Sequence, residues 1–327
     1  MPQTDMDSLL KGPLEGALKQ LDTRRVKALE DRVLLRIVLG IIGGVVIVPF
    51  SISSFGFPAS FFIAAGLALI LWLCTSGMPK DLLCGFKMEV VPVLLRSLAD
   101  STFYDPAGYI SEAEFNESGL YQSPDIYDGM DYIEGVAGKT HFRCSYVHAE
   151  EEREETVMET DSDGNTHTHT ETRRYTIFAG LFFSADCNKY FHGHTAVTPG
   201  SGLSRPLFGG KSLVTMENPD FNREFVVKSL DQVEARFLIT PAMMERLMAL
   251  KRRLGAFCLS FTNGRVRIAL PGWHNYLAPD IKRPIDRSQV KMIYDRLATV
   301  IGIVEDLDIN TRIWTKGISE VREAVNQ

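Results

Sequence analysis

From Ile37 to Pro79 the chain carries no Asp, Glu, Lys or Arg. No other feature limits the fold as strongly, because an uncharged apolar run of this length has no place on a water-facing surface. A bilayer span takes roughly 20 residues, so the run is too long for one span and fits two helices with a short turn. Pro49 ends the first helix and Pro58 suits the opening turn of the second, since proline lacks the amide that an interior turn needs. The turn then covers about residues 50–57. A cleaved leader is the poorer reading, because the apolar run begins only after Arg36. Gly40 and Gly44 form a G-x-x-x-G pattern that lets two helices approach closely, and Ala64 and Ala68 of the second span are the preferred opposing face. Self-association through the same glycines is the alternative.

Lys19, Arg24, Arg25, Lys27, Arg32 and Arg36 precede the run, Lys80 and Lys87 follow it, and its turn carries no charge. The distribution of basic residues therefore places both termini in the cytoplasm. The five cysteines, Cys74, Cys84, Cys144, Cys187 and Cys258, are odd in number and contain no Cys-x-x-Cys. Neither a disulfide framework nor a zinc knuckle is indicated, and buried free thiols are the simpler reading. A net charge of −6 argues against a nucleic-acid partner.

Ahead of the run, Leu14, Leu18, Leu21, Leu29 and Val33 form an interrupted helical stripe. Beyond Lys80 a helix is expected to about Ala99, and Ser111 with Glu114 has the capping-box spacing that opens a short helix. From Met130 the pattern changes to strands: "MDYIEGV", "THFRCSYVHA", "RYTIFAGLFFSA", "HTAVTP" and "REFVVKS". Ser229 with Gln232 has capping spacing ahead of "LDQVEARFL", which reads as a helix although its alternation also permits a strand. Thr240-Pro241 opens a helix with Met243, Leu247, Leu250 and Leu254 on one face and Gly255 as its stop. Asn263-Gly264 is the preferred pair for a two-residue hairpin turn. A last helix follows Asp286, buries Val290, Ile293, Leu297, Val300 and Val304, and ends near Asp308.

The fold class expected is α+β: a two-helix transmembrane hairpin followed by a cytoplasmic domain of mixed, antiparallel β-sheet with packed helices. The divisions are an amphipathic helix over 1–32, the membrane hairpin over 33–79 and a connecting helix and linker over 80–110. The α+β domain covers 111–316 with a protruding β-hairpin at about 150–174, and a tail covers 317–327.

The segments "FAGLFFSADCNKYFHGHTAVTP", "LVTMENPDFNREFVVKSLDQVEARFLITPAMMERLMAL" and "DLDINTRIW" resemble, in this order, the bacterial DUF3137 family of membrane-anchored proteins with no assigned activity. The similarity runs from Tyr104 to Trp314 and spares the hairpin tip. It implies an inner-membrane location and, because members are often encoded near LemA-like membrane proteins, a membrane-associated assembly. It supplies no catalytic residues. Cys187 stands where the family pattern has an aromatic residue, which marks a packing position rather than a nucleophile.

Tests for chemistry return little. "GLSRPLFGGKS" ends like a phosphate loop but has Arg205 where the pattern needs glycine. No nucleophile elbow, zinc-protease or dinucleotide pattern is present. Cys187 and His192 read as core thiol and surface histidine. The acidic run Glu150–Glu155 reads as solvated hairpin arms that guard strand edges. Lys251, Arg252 and Arg253 read as complements to the carbonyls at a helix end.

His167, His169, His192 and His194 are the candidate metal ligands. With a two-residue Asp163-Gly164 turn, the commoner geometry, His167 faces Thr160 and His169 faces Met158, leaving no carboxylate beside them. A three-residue loop brings Asp161 and Glu159 opposite the two histidines, a set fit for zinc or nickel. The tip is read as structural or partner-contacting, with no cofactor expected. The function expected is a non-enzymatic, membrane-anchored binding or scaffold protein whose partners are the bilayer and a membrane protein, LemA-like or a second copy. A membrane-proximal metal-dependent hydrolase and a subunit of an oligomeric transporter are the alternatives.

Overall fold

The structure is a computed structural model that describes residues 12–42, 66, 80–160, 166–187, 191, 193–200 and 212–309. It divides into two compact units, Met1–Val93 with Leu277–Asp295 and Leu94–Tyr276 with Arg296–Gln327.

In the first unit, helix α1 (Pro13–Ile42) runs without a break. Leu14, Leu18, Leu21 and Arg25 recur at helical spacing and are buried. Helix α2 (Lys80–Leu98) contributes Leu82, Phe86, Val90 and Val91 to the same unit. The two helices meet at Gly85, where an added Cβ would lie 3.5 Å from Nη1 of Arg24 and 3.7 Å from Leu21. Asp22 ties α1 to the returning chain: its Oδ1 accepts from the Ile285 amide at 3.0 Å and from Nε of Arg25 at 2.7 Å. The Arg25 bond holds the Asp22 carboxyl below its ordinary range, and Arg25 also donates to the carbonyl of Ile281.

The buried stripe on α1 stops at Arg25. Val33, expected to continue it, is exposed, as are Leu34, Leu35, Ile37, Val38 and Ile41, the last at 59%. Most of the expected membrane hairpin, with Gly44, Ala64 and Ala68, lies outside the described residues. Gly40 lies within α1 and a Cβ there would meet nothing within 4 Å. No described helix is long and apolar enough to cross a membrane.

The second unit is built on a nine-stranded antiparallel sheet in the order β1-β2-β3-β4-β9-β8-β5-β7-β6. The strands are β1 (Asp100–Asp105), β2 (Ile126–Ala137), β3 (Thr140–Thr160), β4 (Thr166–Asp186), β5 (Thr195–Pro199), β6 (Ser212–Val214), β7 (Phe225–Ser229), β8 (Cys258–Thr262) and β9 (Arg265–Pro271). The fold is therefore α+β with an antiparallel sheet, as the strand patterns and tight turns imply. The edge strands β1 and β6 are the ones that the patterns missed: short edges need little apolar alternation. Asn263 and Gly264 both have positive φ, 51° and 69°, and close the β8–β9 hairpin as a two-residue turn.

The helices of this unit follow their caps. Helix α3 (Glu112–Glu117) starts at Ser111, whose hydroxyl accepts from the Glu114 amide at 3.3 Å. Helix α4 (Pro219–Glu224) is capped by Asn218. Helix α5 (Gln232–Leu238) confirms helix over strand for "LDQVEARFL", but its cap is Asp231, not Ser229. Ser229 is a buried strand residue and shares a hydrogen bond with Thr195. Helix α6 (Pro241–Leu254) has Thr240 as N-cap and Gly255, at φ 85°, as its stop, and buries Met243, Leu247 and Leu250. The last helical stretch, which the division between the two units crosses after Asp295, is interrupted, giving α7 (Arg287–Ile301) and α8 (Ile303–Asp306) on either side of Gly302.

One sheet face is apolar around Val147, Ala149, Phe178, Phe182, Ala196, Cys258 and Ala269, and it is covered by Ile110, Phe115, Leu120 and Tyr121. Phe115 of α3 stacks on Tyr121 with ring centroids 5.6 Å apart and meets Phe182 at 5.3 Å. Gly180 has no room for a side chain, because a Cβ would overlap the Leu270 carbonyl on β9.

Candidate functional site

Beyond the sheet, β3 and β4 continue as a two-stranded ribbon. β2 pairs with β3 only as far as Glu150, and β9 pairs with β4 only from Gly180. At the base, Phe142 faces Ala185 and Ala149 faces Phe178, the register that a two-residue Asp163-Gly164 turn would close. Ile177 is then left without a partner, since Glu150 faces Thr176. This bulge moves every pair beyond it by one residue. His167 therefore faces Glu159 and His169 faces Val157, so neither expected register occurs.

The ribbon is exposed and held by cross-strand ion pairs. Arg174 meets Glu152 at 3.0 Å, Arg173 meets Glu155 at 3.1 Å, and Arg153 lies over the Tyr175 ring. Residues 150–174 contain nine acids and three arginines, a net charge of −6 that equals the charge of the whole chain. His169 bonds Glu171 through Nε2 at 3.0 Å and lowers its pKa.

His192 lies outside the described residues. His194 packs against Gly119, whose φ is 55° and where a Cβ would overlap the imidazole. The Gly193 amide donates to the Glu234 carboxylate at 2.9 Å. No group of three His, Cys, Asp or Glu side chains that could hold a metal occurs among the described residues. His148, which the sequence reading passed over, sits 3.3 Å from Glu150 and 3.7 Å from Asp128. Burial pushes the Cys144 and Cys258 thiols up, away from nucleophilic thiolate. Lys251 pairs with Glu224 and stands over the Phe225 ring, while Arg253 pairs with Asp306.

The most concentrated buried charge was not anticipated. Arg143, Ser184, Arg267 and Ser260 are successive register partners across β3, β4, β9 and β8, so their side chains form one row on one face. Glu114 of α3 reaches into this row instead of completing its capping box. Ser184 donates to its Oε1 at 2.7 Å and Arg143 to its Oε2 at 3.1 Å. Arg265 lies 3.6 Å from Oε1 and Arg267 lies 4.0 Å from it. Arg267, 1% exposed, also pairs with Glu117 at 2.7 Å, and Arg265 pairs with Asp186 at 3.0 Å. Burial lowers the Arg267 pKa, opposed by Glu114 and Glu117. The only sequence signal was the alternation in "RVRIAL", which puts two arginines on one side of a strand with apolar residues on the other.

Sheet, covering helix and projecting ribbon together define an α+β domain. Residues 176–309 match the family model described as "Protein of unknown function (DUF3137)", so the chain carries a DUF3137 domain from β4 to the end of the last helical stretch. The ribbon and α3 lie outside the matched segment, which is narrower than the resemblance read from the sequence. No curated protein sequence matches the chain. The crystal structure of the mycobacterial trehalose monomycolate transport factor A, TtfA, aligns with 63% of this chain and 88% of that one, at 9% identity and a TM-score of 0.33. A likeness of that size carries no argument about function.

Proposed function

We propose that the protein is a membrane-anchored, non-enzymatic binding domain of the bacterial inner membrane, with both termini cytoplasmic and the β3–β4 ribbon as its partner contact. The observation that carries this reading is the far end of α1, where Val33, Leu34, Leu35, Ile37, Val38 and Ile41 are exposed around the helix as the uncharged run begins. A ring of large apolar side chains of this kind favours lipid over water. The basic residues before and after the run set the orientation. The ribbon's charge of −6 favours a protein partner with a basic face.

Two outcomes are expected. The full chain should remain with membranes after high-salt and alkaline washes, and a reporter fused after Gln327 should be active only in the cytoplasm; release by salt alone, or periplasmic activity, contradicts the reading. Replacing residues 155–171 with Asn-Gly closes the Glu154–Thr172 pair with a two-residue turn. Stability should change by no more than about 0.5 kcal/mol, because the described side chains among those removed are exposed or only half-buried, while a partner co-purified in mild detergent is lost. A partner retained at full stoichiometry removes the ribbon from the binding role. Loss of a bound transition metal together with marked stability would favour the metal-enzyme alternative.

A further inference from the structure

The arginine row beneath α3 holds more positive charge than its one buried carboxylate balances. Glu114 is shared among Arg143, Arg265 and Arg267, whereas Glu117 and Asp186, at 53% and 51% exposed, are largely screened by solvent. Three donors on this face are buried and meet no hydrogen-bond partner among the described residues: Nε of Arg265, Nε of Arg267 and Oγ of Ser260. Ser260 is the register partner of Arg267, and Arg265 lies two residues along the same strand. A buried donor left unpaired is costly, and such groups in native proteins find an acceptor.

We propose that Arg265, Arg267 and Ser260 form a binding site for a phosphate group, which displaces the rim carboxylates Glu117 and Asp186. Each guanidinium now bonds its rim carboxylate through Nη2, at 2.7 Å for Arg267 and 3.0 Å for Arg265. A phosphate at the rim keeps both bonds and has oxygens to spare for the unpaired Nε groups and for the Ser260 hydroxyl. The guanidinium fork fits that geometry, and its charge persists at any pH the protein meets. Glu114 stays in place, because Ser184 and Arg143 donate to its two carboxylate oxygens. Inorganic phosphate and a phosphomonoester lipid headgroup present the same chemistry. The proposal does not rest on the ribbon or on membrane anchoring.

The test uses the full chain in detergent micelles, titrated by calorimetry with inorganic phosphate and, separately, with short-chain phosphatidate, at constant ionic strength against chloride. Binding of either ligand is expected. Arg265→Gln should weaken it at least about tenfold, the loss of one charged hydrogen-bonding group, and Arg265→Lys should recover only part. Glu117→Gln and Asp186→Asn, both on exposed rim positions, should tighten it, an effect that non-specific attraction to a damaged fold would not produce. Binding of both ligands assigns the site to the phosphate group alone, and binding of phosphatidate only assigns it to a lipid headgroup. The proposal is overturned if neither ligand differs from chloride, or if Arg265→Gln binds as the wild type does.

Discussion

Replacing Glu114 with alanine is expected to lower the unfolding free energy by about 3–5 kcal/mol, the usual cost of removing one partner from a buried charge pair. The effect is large because one carboxylate serves three guanidiniums and the Ser184 hydroxyl. Arg267 is then left under α3 with the Thr262 carbonyl and the half-exposed carboxylate of Glu117. The paired control is Glu117→Ala, a surface-type ion pair whose loss should cost less than about 1 kcal/mol. Denaturant unfolding of the two variants in the same detergent compares them directly. Equal, small losses would mean that Glu114 is no more buried from solvent than Glu117 and that the row is an ordinary wet surface.

The second large effect is expected at Phe115, one residue along α3. It is 1% exposed and meets Tyr121, Tyr127, Phe178 and Phe182 with centroid separations of 5.3–6.0 Å. Phe115→Ala should cost about 3–5 kcal/mol, from lost burial and the cavity left behind. Phe115→Leu should recover a good part of it, since most of the volume returns. A loss under about 1 kcal/mol for the alanine variant would show that α3 is not part of the core and that the sheet face beneath it is stable uncovered. Together the two variants divide α3 into an apolar half that covers the core and a polar half that balances the arginine row.

Much of the local structure was legible because it depends on a few neighbouring residues. Thr240-Pro241 and Gly255 bound α6, since a hydroxyl cap, a proline in the first turn and a positive-φ glycine act within one turn of helix. Asn263-Gly264 closes β8 on β9 for the same kind of reason. Ser229 misled because its hydroxyl is used across the sheet by Thr195, leaving the cap to Asp231.

The ribbon shows where local reading stops. Its strands were visible in the alternating threonines, histidines and acids, but its register depends on one extra residue at Ile177, and a bulge has no composition of its own. The arginine row is more remote still. Glu114, Arg143, Ser184, Arg265 and Arg267 come from four separated segments, and each alone reads as a helix-cap or strand-surface residue. The amino-acid sequence by itself determined the uncharged run, the helix ends, the strand patterns and the charge of the ribbon, all consequences of short-range periodicity and composition. Tertiary structure alone decided that β4 lies between β3 and β9, which brings three arginines and Ser184 under one short helix, because sheet order and burial arise from pairing between segments far apart in the chain.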